Sequence, residues 1–149
     1  YLRAAVPLLH EPAATIEREL QLVRPYLELM QMRMPDRLQY AMHADPSTLQ
    51  VRCPPTTLLT LVENAVRHGI DPSEEGGQID IDVARIGDRC VVRVADTGVG
   101  FQPATHGLGT GLTALRERLR LIFGDAAELR VTPNSRRGAV VEVDMPAQT

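Results

Sequence analysis

Apolar residues recur at Ile16, Leu20, Val23, Leu27, Met30 and Met34, in steps alternating between 4 and 3, which lays one stripe along a helix. Thr15 ahead of the stripe suits an N-cap, and Pro35 behind it suits a stop. Such a stripe serves equally as a short coiled-coil dimer seam or as the inner face of a helix lying on its own domain. Leu38 to His43 and the segment around Leu49 to Val51 read as strands, parted by the turn-forming Asp45-Pro46-Ser47. Pro54-Pro55 then opens a second helix. Its residues Leu58, Leu59, Leu61, Val62, Ala65 and Val66 make a broad apolar face, and Gly69 is expected to end it.

Beyond Gly76-Gly77 the period changes. Ile79, Ile81 and Val83 alternate with polar residues, Gly87-Asp88 makes a turn, and Val92 and Val94 alternate again up to Asp96, which predicts a hairpin. Between Asp96 and Gly111 five glycines and Pro103 leave no regular element. A helix follows over Leu112 to Phe123 with Gly124 as its terminator, and a second hairpin joins Leu129–Val131 to Val140–Met145 through a polar turn, Asn134 to Gly138. This order predicts an α+β fold, a mainly antiparallel sheet covered on one face by helices.

Composition narrows the class. At 149 residues and 44% hydrophobic, the chain suits one domain with one core; with 3% aromatic residues and no Trp, Leu, Val, Ile and Met must fill it. Cys53 and Cys90 are isolated from each other and from histidines at metal-ligand spacing, which argues against zinc and a disulfide scaffold and for a reduced, cytoplasmic setting. The net charge of −3 with 16 dispersed basic residues gives no nucleic-acid surface. No apolar run reaches the ~18–20 residues needed to span a bilayer, so this stretch itself is not expected to contact a membrane. The start at Tyr1-Leu2-Arg3, without Met, reads as part of a longer protein.

Three polar and glycine-rich blocks lie between these apolar segments. On the second helix Thr60, Asn64 and His68 are four apart and share a face, with Arg67 beside them. A neutral carbonyl oxygen such as that of Asn64 can hold Mg²⁺ while phosphates and waters complete the octahedron; a lone Asn on an exposed polar face is the plainer alternative. Asp96, at the end of an apolar strand and before Thr97-Gly98-Val99-Gly100, can accept the exocyclic amine of adenine, whereas guanine would oppose an oxygen to it. It equally suits a turn aspartate that caps its own loop. Gly107, Gly109 and Gly111 allow close approach to a phosphate, and a helix starting near Leu112 offers it free amides. The spacing matches neither the dinucleotide fingerprint nor a Gly-Lys-Ser/Thr phosphate loop.

With these residues in view, the chain resembles the catalytic, ATP-binding domain of sensor histidine kinases in the GHKL superfamily, most closely the LytS type. Glu63-Asn64 to His68-Gly69 is similar to the family's N box, Asp96 to Phe101 to its first glycine box, and Gly107 to Leu112 to its second. Likeness extends from Glu19 through Arg37-Leu38 and Pro54-Pro55 to Arg116-Glu117-Arg118-Leu119, Gly124 and Pro146. The resemblance implies the two-layer α/β sandwich of the Bergerat ATP-binding fold. It implies ATP and Mg²⁺ as cofactors, with Asn64 as the metal ligand and Glu63 and Asn64 as the catalytic positions. It implies nucleotide contacts from Asn64, Arg67, His68, Asp96, Gly98, Gly100, Phe101, Gly107, Leu108, Gly109, Thr110, Gly111 and Leu112, with Phe101 to Thr110 as a mobile lid. Residues 1–35 would then close a helical dimerisation and linker region, and residues 36–149 would form the catalytic domain.

Two departures refine the expectation. Hydrolytic relatives place a Glu four residues before the metal Asn, where it activates water; here that position is Thr60, which favours transfer over hydrolysis. Glu63 points about 100° around the helix, as an auxiliary base, a water-orienting group or a partner of Arg67. The family's acceptor histidine lies in a separate upstream helical segment with a Pro-His-Phe-like motif, which these residues lack; His10-Glu11 is followed by Pro12 and does not match it. The resemblance therefore implies a protein-histidine kinase catalytic domain acting on a histidine-bearing helical domain of its own homodimer. A response regulator would lie downstream, and the parent protein would be anchored in the bacterial inner membrane. A GHKL-type ATP hydrolase and a non-enzymatic nucleotide-sensing module are the competing readings.

Overall fold

The computed structural model describes residues 14–99 and 108–149. A short strand β1 (Ala14–Thr15) leads into helix α1 (Ile16–Arg33), whose first turn is capped by Thr15 Oγ1 accepting the Arg18 amide at 3.2 Å. The apolar stripe of α1 faces this domain's own core: Ile16, Val23 and Leu27 are fully buried. Pro25 sits within the helix on its exposed side.

Strand β2 (Leu38–Ala44) follows as expected, but the segment 49–51 is not a strand. Asp45 caps a 3₁₀ turn, Pro46–Thr48, by accepting the Ser47 amide at 3.0 Å, and this local bonding leaves pairing to start only at β3 (Arg52–Cys53), which joins β1 antiparallel. Helix α2 (Thr57–Asn64) then continues without a break into a π-helical segment, Ala65–Ile70, so Gly69 does not end it. Gly69 is small for another reason, given below.

Strands β4 (Gly77–Ile86) and β5 (Arg89–Asp96) form the predicted hairpin. Helix α3 (Gly109–Phe123) begins earlier than the expected Leu112 and ends at Gly124 with φ of 59°. Strands β6 (Glu128–Pro133) and β7 (Ala139–Pro146) make the second hairpin. The sheet runs β2-β4-β5-β7-β6; only the β2–β4 pair is parallel, and that pair is joined through α2 as a parallel pair requires.

Alternation decides the layering. Ile79, Ile81, Val83, Val92, Val94, Val141 and Val143 point to one buried face, where Leu58, Leu61, Leu112, Leu115 and Leu119 from the helices meet them in one core cluster. Each such side chain stabilises the fold by about 1.5–3 kcal/mol relative to exposure. On the other face charges alternate across neighbouring strands: Asp82 is opposite Arg93, Arg93 opposite Glu142, and Glu142 opposite Arg130.

Candidate functional site

One groove, of about 250 Å³, is bordered on one side by Thr60, Glu63, Asn64, Arg67 and His68 and on the other by residues 108–112. Both walls are helical, and they are built differently.

The first wall is α2 and its π segment. Thr56, which starts α2, has a left-handed backbone with φ of 64° and makes no side-chain cap. The cap comes from α1 instead: Glu19 Oε2 accepts the Thr56 amide at 3.1 Å and Oε1 the Leu58 amide at 2.9 Å. Arg118 of α3 donates to the Pro55 carbonyl and, at 3.4 Å, to Thr56 Oγ1. After Asn64 the helix widens, with the Asp71 amide reaching the Val66 carbonyl at 2.8 Å, five residues back. Arg67 and His68 lie in this wider turn and still border the groove. Its end is held by Arg37, whose Nη2 donates to the carbonyls of Ile70, Asp71 and Ser73 at 3.2, 2.8 and 2.9 Å.

Asp96 stands behind this wall and is not among the residues bordering the groove. It is only 3% exposed. A Cβ on Gly69 would lie 2.5 Å from Asp96 Oδ1, which is why the helix needs a glycine there. Asp96 Oδ1 accepts the Gly98 amide at 2.9 Å, the turn role open to it from sequence. The chain after it is pinned to the helix, the Val99 amide bonding the Gly69 carbonyl at 3.0 Å. Burial raises the Asp96 carboxyl above its ordinary range, while the Gly98 and Ala139 amides pull it partway back. From the β6–β7 hairpin, Asn134 Nδ2 bonds the Asp96 carbonyl and Arg137 Nε the Gly98 carbonyl, each at 2.9 Å. Sequence reasoning marked Glu19 only within the family likeness and Asn134 only as a turn residue, and missed Arg137 and all three contacts, because each acts on a segment nearly forty positions away, with separations of 38, 39 and 37.

The second wall is the first turn of α3. Gly109, with φ of 82°, starts it; Leu108 before it supplies no side-chain cap, and Gly109, Thr110 and Gly111 are exposed. The first-turn amides of an α-helix have no intrahelical partner, and the helix dipole adds positive potential there. Thr60 looks across at this turn: a Cβ on Gly111 would lie 3.6 Å from Thr60 Cγ2. Gly100, Phe101 and Gly107 fall outside the described residues, as do His10 and His106.

The donor set suits a divalent ion that brings its other ligands with it. Asn64 is 9% exposed and Glu63 half-buried in the same groove, and no cluster of three or more His, Cys, Asp or Glu that could hold a metal unaided occurs among the described residues. Mg²⁺ keeps waters and phosphate oxygens around one or two protein ligands, so these residues fit it.

The sensor protein LytS of Oceanobacillus iheyensis is 28% identical over 98% of this chain and 27% of its own length. The sensor histidine kinase YpdA of Escherichia coli is 31% identical over 87% of this chain and 24% of its own length. The chain thus spans about a quarter of the curated relatives it matches. Among solved structures, the histidine kinase AdeS of Acinetobacter baumannii superposes with a TM-score of 0.69 at 13% identity, covering 99% of this chain and 76% of that one, which shows a shared fold. No helix among the described residues is long and apolar enough to cross a membrane. Residues 54–149, which hold both walls of the groove, match the family described as "Histidine kinase-, DNA gyrase B-, and HSP90-like ATPase", and the chain belongs to that family.

Proposed function

We propose that the groove binds Mg-ATP and that residues 36–149, with α1 packed into the same core, are the catalytic domain of a two-component sensor histidine kinase. Residues 1–35 would join it to a histidine-bearing helical domain of the same homodimer, with a response regulator downstream and the parent protein anchored in the inner membrane. The observation that carries this reading is the meeting of Asn64, Arg67 and His68 with the uncapped first turn of α3 across one groove.

The first-turn amides of Gly109, Thr110 and Gly111, ahead of Leu112, receive phosphate oxygens, and Arg67 and His68 face the same charge from α2. Asn64 would hold Mg²⁺, which when bound neutralises phosphate charge. Asp96, behind the α2 wall and outside the groove's border, would with Gly98 and with Gly100 and Phe101 beyond it read the amine of an adenine that reaches past that wall, while Gly107 and Leu108 complete the approach to the phosphates. An imidazole nitrogen of the acceptor histidine attacks the γ-phosphorus as the bond to the β–γ bridging oxygen breaks, and ADP leaves. Such a transfer needs positioning and charge neutralisation more than a strong base, so Glu63 is sufficient as an auxiliary group that holds a proton or a water. Thr60 supports transfer over hydrolysis, because its methyl group, not a carboxylate, faces α3.

Calorimetry with Mg²⁺ should give ATP binding and no GTP binding. The Asp96→Asn protein should lose ATP affinity, and unchanged affinity would remove the adenine role. Labelled ATP should then mark an added upstream helical segment and not this chain, whereas self-labelling at His10 would overturn the placement of the acceptor.

A further inference from the structure

Glu19 is a buried acid that this chemistry does not use. It lies on the inner stripe of α1, between Ile16 and Val23, and is 1% exposed, where an acid must find donors or leave a charge unmatched. Its donors are the amides of Thr56 and Leu58. Nothing local could replace it: the left-handed Thr56 makes no cap, and its hydroxyl is turned to the Pro55 carbonyl at 2.6 Å. Arg118 reaches the same point from α3. Burial raises the Glu19 carboxyl, and the Leu58, Thr56 and Leu59 amides and then Arg118 oppose that rise.

One node therefore joins α1, the start of α2 and the middle of α3. From it α2 runs eight residues, ~12 Å, to Asn64, and α3 runs back from Arg118 to Gly109. Both walls of the groove are the far ends of helices fixed at one place. Asn64 and the first-turn amides of α3 thus take their positions from helices that share this anchor.

We infer that Glu19 is a positioning residue for the nucleotide groove: it fixes α2 and, with Arg118, α3, so that Asn64 and the amides of 109–111 face one ligand together. This rests on the nucleotide reading of the groove, and its test has an arm that does not. In the 149-residue chain, Glu19→Gln keeps one acceptor but turns an NH₂ toward an amide, while Val143→Ala removes core packing from β7, outside the node. Calorimetry should show Mg-ATP affinity about tenfold weaker in Glu19→Gln, measured where the protein is fully folded, and unchanged in a Val143→Ala protein of similar melting temperature. Amide exchange should quicken at residues 58–68 and 109–112 in Glu19→Gln alone. If Glu19→Gln matches Val143→Ala in both measurements, Glu19 is only a stabilising cap and the inference falls. If the wild-type protein binds no ATP, the nucleotide reading fails by itself, and the exchange pattern still decides whether Glu19 aligns the two walls.

Discussion

Two helix starts face the same core, and they have opposite fates. The start of α2 is closed by Glu19, a carboxylate from the protein's own chain, with Thr57 and Leu58 buried beneath the exposed Thr56; among the described residues the start of α3 has no side-chain cap, and it borders the groove. The glycines divide in the same way. A Cβ on Gly98 would lie 2.0 Å from the Gly69 carbonyl oxygen, while among the described residues one on Gly109 would meet nothing within 4 Å and one on Gly111 only a methyl group at 3.6 Å. The lesson is that one physical resource, helix-start amides, becomes structure where a side chain of the fold caps it and stays available to a ligand where no described side chain does.

Substitutions can break or sharpen that contrast. The largest effect is expected on the closed side: Gly98→Ala forces backbone against backbone and should cost about 3 kcal/mol or more of stability in urea unfolding. An unchanged midpoint would mean that the close approach is dispensable. On the open side the same chemical change should separate stability from binding. Gly111→Ala adds a methyl group without collision inside a helix, which should raise stability by ~0.5–1 kcal/mol. The methyl group also crowds the phosphate approach and should weaken Mg-ATP by about 1 kcal/mol, roughly fivefold in Kd by calorimetry. Loss of stability and of affinity together would erase the distinction between the two sides.

The smallest effect concerns Asp96 and is read through pH. Its carboxyl is raised from the ordinary 3.8, chiefly by burial, so the folded state holds the proton more tightly than the unfolded chain does. Its contribution to stability is complete below pH 3.8 and is lost as pH rises through the folded value, which leaves a buried charge at neutral pH. Asp96→Asn lacks this dependence. Unfolding followed from pH 4 to pH 7 should therefore shift in favour of the Asn protein, and a shift the other way would show that the amides of Gly98 and Ala139 outweigh burial.

Period and punctuation made most of the fold legible. The α1 stripe, both hairpins and the glycine that ends α3 are local signals, and the structure holds them where the sequence predicts. The misses are of two kinds. At Leu49–Val51 an aspartate cap won over strand propensity, and at Gly69 the glycine that looked like a helix stop marks the approach of Asp96. The other kind is long-range: Glu19, Asn134 and Arg137 act on backbone groups far along the chain, and no window of sequence brings donor and acceptor together. The residues that border the groove fall in short runs, Thr60 to His68 and Leu108 to Leu112, so they stand together in the sequence as they do in space.

The parallel pairing of β2 with β4 has a kinetic consequence. Hairpins β4–β5 and β6–β7 close short turns, but β2 meets β4 only after residues 45–76, including all of α2, have been looped out between them. Loop-closure entropy makes such distant pairing slow relative to hairpin formation. Asn64 lies inside that loop and the amides of 109–111 lie beyond it, so the groove is complete only when the chain has nearly finished folding. A ligand that needs both walls can then do little to hasten folding; it acts by slowing escape from the native state.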